Sequence, residues 1–305
     1  NVFKTSTKNI NVQNQNILDS KENFNSDTYL TLGVENSLPL MKINKNTEET
    51  LTPKIFTKFT TGSMTNANSL DKMLTYQDIY SMNRMSSITN PETGGDIGYG
   101  IDYNIRKKNN LSEVYMDGTF SIGQVIKKKK LKEMPENSSL ANTSSDFVGN
   151  VSFFYDSKIE EKISQTAYLK KGLNINYDYT VSNDLNKILK NDIDISYADT
   201  KNTWSSKYYE THDISNEQYI DIKYDRKIYD DFTFATGVRK NIQDSFTENN
   251  FIGIAYETDC IKISLNLAKT FYQDEDLKPS NNFTLSLVLK PFGSPISPDL
   301  SSFLN

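Results

Sequence analysis

No run of about 18 apolar residues occurs anywhere in the chain, so no transmembrane helix is encoded. A single cysteine, Cys260, excludes an internal disulfide. A single histidine, His212, leaves little room for chemistry that relies on a histidine base. Hydrophobic residues make up only 36% of the sequence and the mean hydropathy is −0.60, low for a globular enzyme of this length. Yet 18 Tyr and 16 Phe are too many aromatics for a disordered chain. A net charge of −5 gives no electrostatic footprint for nucleic acid. The chain carries no signal peptide and opens on Asn1 rather than Met, which reads as a fragment or a mature chain whose upstream part is absent.

What is present is alternation. Ile261, Ile263, Leu265 and Leu267 alternate with Lys262, Ser264, Asn266 and Ala268. Phe283, Leu285, Leu287 and Leu289 alternate with Thr284, Ser286 and Val288, and Leu173 to Val181 repeats the pattern. A period of two means strands with one apolar and one polar face. A soluble sandwich hides its apolar faces between two sheets. A membrane barrel turns them to lipid and keeps a polar interior, which suits this composition better. The fold expected is therefore all-β: an antiparallel transmembrane β-barrel.

Residues 1–27 lack periodicity and read as a polar lead-in or a truncated element. Strand candidates follow at 28–43, interrupted by Pro39, and at 51–60. The long irregular segment 61–96 is either functional or ordered by packing. From Ile97 strands recur at 97–106, 113–126, 146–156, 173–181, 191–198, 203–211, 217–227, 232–241, 248–257, 260–271 and 283–290. That makes about thirteen or fourteen, each near the length a tilted strand needs to cross a bilayer. Residues 28–294 form the barrel segment and 295–305 a tail; 163–169 is a further strand or a continuation of its neighbour.

Outer-membrane barrels have short periplasmic turns and longer external loops. If the last strand runs inward, 272–282, 242–247, 212–216 and 182–190 lie outside, and 258–259, 228–231 and 199–202 lie in the periplasm. The lysine-rich loop 127–145 then falls outside provided 146–171 contributes one crossing, the arrangement favoured here.

Nothing reads as catalytic. His212 sits beside Asp213 in an expected loop, without the nucleophile and rigid placement that a catalytic triad requires. Asp230–Asp231 and Glu48–Glu49 read as solvated turn carboxylates. No metal or cofactor site is expected; Asp274–Lys278 is the nearest approach to a calcium ligand set.

Three blocks resemble one family. Gly253–Ser294 is similar to the end of the LPS-assembly protein LptD family, an outer-membrane barrel that delivers lipopolysaccharide to the cell surface; Tyr256, Asp259, Cys260, Leu289, Lys290 and Gly293 carry the likeness. Leu51–Pro53 with Asp78–Arg84 and Glu92–Tyr103 resembles its Leu-x-Pro and Asn-Arg…Glu-x-Gly…Tyr-Gly segments. Ser144–Phe153 resembles its Ser-Asp-x-x-Gly strand. Tyr80 stands where the family more often has Phe, and Met85–Asn90 departs from its Gly-x-Asp. The family's periplasmic jelly-roll domain and early strands have no counterpart here. In a barrel of roughly 26 strands this would be the C-terminal part.

The resemblance implies a non-enzymatic lipopolysaccharide translocon in the outer membrane of a Gram-negative bacterium. Its partners would be lipopolysaccharide, an LptE-like lipoprotein plug, the periplasmic bridge reached through the N-terminal domain, and the barrel-assembly machinery. It implies that Phe283, Leu285, Leu287 and Leu289 form one edge of a lateral gate. It implies an interdomain disulfide at Cys260, which the loop assignment separately puts at the periplasmic rim. External Lys127, Lys128, Lys129 and Lys130 would meet the lipid phosphates, against the plainer reading of a solvated loop. The rival readings are a diffusive porin or substrate-specific channel, whose constriction 61–96 would supply, and a soluble β-rich binding module.

Overall fold

The computed structural model describes residues 2–10, 22–62, 64, 66–67, 73–85, 91–110, 113–135, 138–156, 172–212, 216–229, 231–271 and 279–289, with side chains from residue 29 onward. Its strands are β1 Val2–Ile10, β2 Glu22–Ser37, β3 Leu40–Asn44, β4 Thr47–Thr60, β5 Gly94–Lys108, β6 Val114–Lys127, β7 Phe147–Asp156 and β8 Gly172–Val181. They continue as β9 Ile188–Ala198, β10 Asn202–Thr211, β11 Glu217–Tyr229, β12 Phe232–Asn241, β13 Phe246–Glu257, β14 Ile261–Thr270 and β15 Ser280–Leu289. All belong to one 15-stranded sheet in which, β3 apart, neighbours in sequence are neighbours in space. Every pairing is antiparallel. The stretch 1–27 thus carries β1 and the start of β2, an element rather than a lead-in. Pro39 does interrupt: β2 and β3 both pair with β4, along its second and first halves, because proline has no N–H for the ladder.

The two faces separate as the alternation requires. On β14 and β15, Ile263 opposes Leu287, Leu265 opposes Leu285 and Leu267 opposes Phe283; Ser264–Ser286 and Asn266–Thr284 lie between them on the other face. The same outward set continues through Ile252 and Ile254, Trp204, Ile195, Phe120, Ile101, Ile97 and Ile55, all exposed. The opposite face carries Lys58, Asp96, Asp102, Asp192, Lys207, Asp221 and Arg239. The segments that cover the sheet pack on this charged face and leave the apolar one bare. That is the inverse of a soluble sandwich, which buries its apolar faces. It is the pattern of a transmembrane β-barrel wall, lipid outside and a polar interior.

Antiparallel alternation fixes which connections share an end. The two longest, 61–93 and 128–146, leave the same end, as do 182–187 and 242–245; the short turns 199–201 and 258–260 lie at the other, with the 15-residue connection 157–171. β7 pairs directly with β8 along Phe147–Asp156, and the external placement of the lysine loop stays an expectation, since 157–171 lie outside the described residues. Residues 163–169, 274–278 and 290–305 lie outside the described residues. Glu48 and Glu49 stand within β4, not in a turn, and Glu48 pairs with Lys108 at 2.5 Å.

The two long connections meet on the charged face. The Ala67 N–H donates to the Glu133 carbonyl at 2.8 Å. Ala67, Leu74, Ile79 and Met85 from the first connection pack with Leu131, Met134 and Leu140 from the second, over Val125 and Val148 of the wall. This is the apolar core among the described residues, and it sits inside the wall.

Candidate functional site

The first connection seats a short 3₁₀ turn, Gln77–Tyr80, on β5 and β6. Inward positions there are glycine for a steric reason. A Cβ on Gly98 would lie 2.6 Å from the Ile79 carbonyl oxygen, and one on Gly123 would lie 2.7 Å from the Ile79 Cδ1. Removing two side chains makes a trough that the turn's backbone fills, so Ile79 is fully buried. Gly98 and Gly123, with Gly100 against the Tyr80 hydroxyl, are therefore a seat for the insert rather than a strand property alone.

One turn further on, Arg84 reaches back into a buried ion network. Its Nη1 donates to Glu92 Oε2 at 2.9 Å and its Nη2 to Asp96 Oδ1 at 2.8 Å. Its Nε and Nη2 also donate to the carbonyls of Asp78 and Ile79, both at 3.0 Å. Lys58 Nζ from β4 donates to Glu92 Oε2 at 2.9 Å and lies 3.5 Å from Asp96 Oδ2. Lys127 Nζ from β6 pairs with Glu92 Oε1 and donates to the Leu140 carbonyl at 2.5 Å. Buried charges persist only when paired and hydrogen-bonded, and here three cations surround two carboxylates. Burial opposes ionisation of Glu92, but Lys127, Lys58 and Arg84 outweigh it and hold its carboxyl well below the usual range. Burial likewise opposes the Arg84 charge, and Glu92 and Asp96 reverse that, so its proton is held more tightly than usual.

A second layer lies deeper along the same face. Tyr76 OH donates to Asp102 Oδ1 and lies 3.1 Å from Tyr80 OH, while Lys54 Nζ pairs with Asp102 Oδ2 at 2.7 Å. Burial, then the Asp102 contact, raises the Tyr76 hydroxyl far above its ordinary range. Beyond the insert, the inner face of β9 to β13 carries a charged and aromatic track. Lys207 pairs with Asp192 at 3.2 Å, Tyr209 and Tyr219 stack at 5.0 Å, and Arg239 lies 3.9 Å above the Tyr219 ring while pairing with Glu248 at 2.6 Å.

The expected site residues fare differently. Lys127 is corrected: its inward position on β6 commits it to Glu92, and it is buried rather than offered to solvent. Lys128, Lys129 and Lys130 are exposed at the end where the long connections emerge. Phe283, Leu285, Leu287 and Leu289 are 66, 66, 58 and 45% exposed on β15, which pairs only with β14 among the described residues. Cys260 is free and exposed in the short turn between β13 and β14, at the end opposite the lysines. His212 is partly exposed, with Nε2 3.2 Å from Glu210 Oε1. No cluster of metal-ligating side chains occurs among the described residues. Lys58 and Asp96 carry no pattern in the sequence that marks this site, and Arg84 and Glu92 stand out there only through the family resemblance.

No protein-family model matches the chain, and no curated protein matches it. Among solved structures it is similar to a Rhodopseudomonas blastica porin triple mutant, with 9% identity over 87% of each chain and a TM-score of 0.33. Another mutant of that porin matches with 9% identity over 93% of this chain and 96% of that one, again at a TM-score of 0.33. Likeness at that level says nothing of pore or cargo, and nothing in it adds to the LptD resemblance. The wall itself, apolar outward and charged inward, is that of a transmembrane β-barrel, and among the described residues no helix is long and apolar enough to cross a membrane.

Proposed function

We propose that this chain forms part of an outer-membrane conduit for an amphiphile, lipopolysaccharide, whose sugar follows the charged inner face while its acyl chains leave along the edge of β15. The observation that carries the reading is that edge. β15 has a row of exposed apolar side chains on one face, polar ones on the other, and no second strand partner among the described residues. A wall with a seam lets the two halves of one molecule stay in matching surroundings, whereas a fully paired wall would trap the acyl chains. The motif resemblance points the same way, and the lipoprotein plug, periplasmic bridge and Cys260 disulfide rest on that resemblance. The aromatic and charged track on β9 to β13 suits a carbohydrate passing along it.

A second reading, a porin or substrate-specific channel, is supported by the described parts of 61–92, which pack on the charged face of β5 and β6, where a channel would carry a constriction. Depleting the protein separates the two. Loss of lipopolysaccharide from the surface, read with a cell-impermeant label, supports delivery. Unchanged surface lipopolysaccharide together with ion conductance by the purified protein in planar bilayers would give the function to a channel.

A further inference from the structure

The lipid-facing side of β12 to β15 is not a smooth wall. Ile252, Leu267 and Phe283 stand side by side across three strands, and in the next row toward the long-connection end stand Asn250, Lys269 and Asn281. A groove of about 660 Å³ runs over both rows, within the size range of small-ligand sites. A small side chain leaves the room: Thr236 faces outward in its lining, and its hydroxyl donates to the Phe251 carbonyl at 2.9 Å. The groove is thus apolar along its length and polar at one end. Its one cation, Lys269, makes no ion pair among the described residues, and its Nζ lies 4.5 Å from the centre of the Phe271 ring.

We propose that this groove binds one acyl chain of a phosphorylated lipid of the outer leaflet, with a headgroup phosphate on Lys269 between the amides of Asn250 and Asn281. The one-ended polarity selects an amphiphile over a wholly apolar molecule, and the ammonium selects an anionic headgroup over a neutral one. The polar row lies at the end from which the long connections emerge, the expected level of outer-leaflet headgroups. Its position against β15 would hold a lipid just outside the seam. The site rests on the membrane-barrel reading and deepens the lipopolysaccharide one by giving the cargo a place on leaving.

The test uses the purified full chain in neutral detergent, with bis-phosphorylated lipid A and the same lipid stripped of its phosphates as probes, and retained lipid counted by native mass spectrometry. Wild type should retain one bis-phosphorylated copy about tenfold more tightly than the stripped form, the scale of one charge-assisted contact. Lys269→Ala should remove that preference, and Ile252→Trp, which fills the floor, should lower retention of both. Thr236→Phe fills the same groove should Ile252→Trp fail to fold, as judged by heat-modifiable gel mobility. Equal retention of the two lipids by wild type, or no change in the variants, overturns the site. Delivery of lipopolysaccharide in the depletion strain is read separately, so the groove can fail while the conduit stands, and the conduit can fail while the groove stands.

Discussion

Arg84 shows how much a single side chain can hold. It donates to Glu92, Asp96 and two carbonyls of the inserted turn, so truncating it leaves two buried carboxylates short of a cation and two acceptors unmet. Removing one partner of a buried ion pair costs about 3–5 kcal/mol. Arg84→Ala should therefore unseat the insert while leaving strand content unchanged, measured as protease cleavage within 61–92 against circular dichroism. Glu92 sets the acid limit. Its folded pKa is depressed, so its contribution is complete above the ordinary value near about 4.3 and is lost as pH falls through the lowered folded value. The difference in thermal midpoint between wild type and Glu92→Gln should stay constant from pH 7 to about 5 and shrink only below about 4. A difference that fades between pH 7 and 6 would mean that Glu92 is not ionised in the cluster. Cys260 stays a free, exposed thiol here. A longer chain with an upstream cysteine should run differently from its Cys260→Ser variant on a non-reducing gel.

At the scale of an element, β14 and β15 display the rule that governs the wall. Leu287 faces lipid and Ser286 the interior, one residue apart. An arginine at a mid-membrane lipid-facing position costs about 2–4 kcal/mol, while one facing the lumen is mild. Leu287→Arg should lower the denaturant midpoint in detergent or bilayer refolding well below that of Ser286→Arg, and equal losses would reverse the assigned faces. β5 follows a different constraint. Gly94 takes a φ of 97°, which lets the chain turn from Glu92 into the strand, whereas Gly98 has an ordinary backbone and is glycine because Ile79 lies against it. Gly98→Ala should cost about 1–3 kcal/mol by overpacking. The loss should be abolished in a chain already lacking the seated turn through Arg84→Ala.

The whole molecule is decided by parity. Consecutive antiparallel strands put Lys129 and Cys260 at opposite ends. In intact cells a cell-impermeant maleimide should label Lys129→Cys in a Cys260→Ser background. After reduction it should reach native Cys260 only once the outer membrane is permeabilised. The reverse result would invert the barrel.

Much of the wall is legible in the sequence, because strand alternation is local: Ile261 to Leu267 and Phe283 to Leu289 declare their period within ten residues, and the low hydropathy says that the other face is wet. The turn positions follow for the same reason, and parity follows from the turns. What the sequence does not declare is who meets whom across the interior. Lys127 reads as one of four like lysines until β5 and β6 bring it to Glu92. Lys58 and Arg84 lie 26 residues apart in the numbering and have no pattern in common, yet both bind Glu92 Oε2 at 2.9 Å. The Gly98 and Gly123 trough exists only because two strands align their bare positions beneath a turn from another segment. Periodicity records the solvent each face meets. Charge pairing and backbone seating depend on distances that only the folded sheet sets.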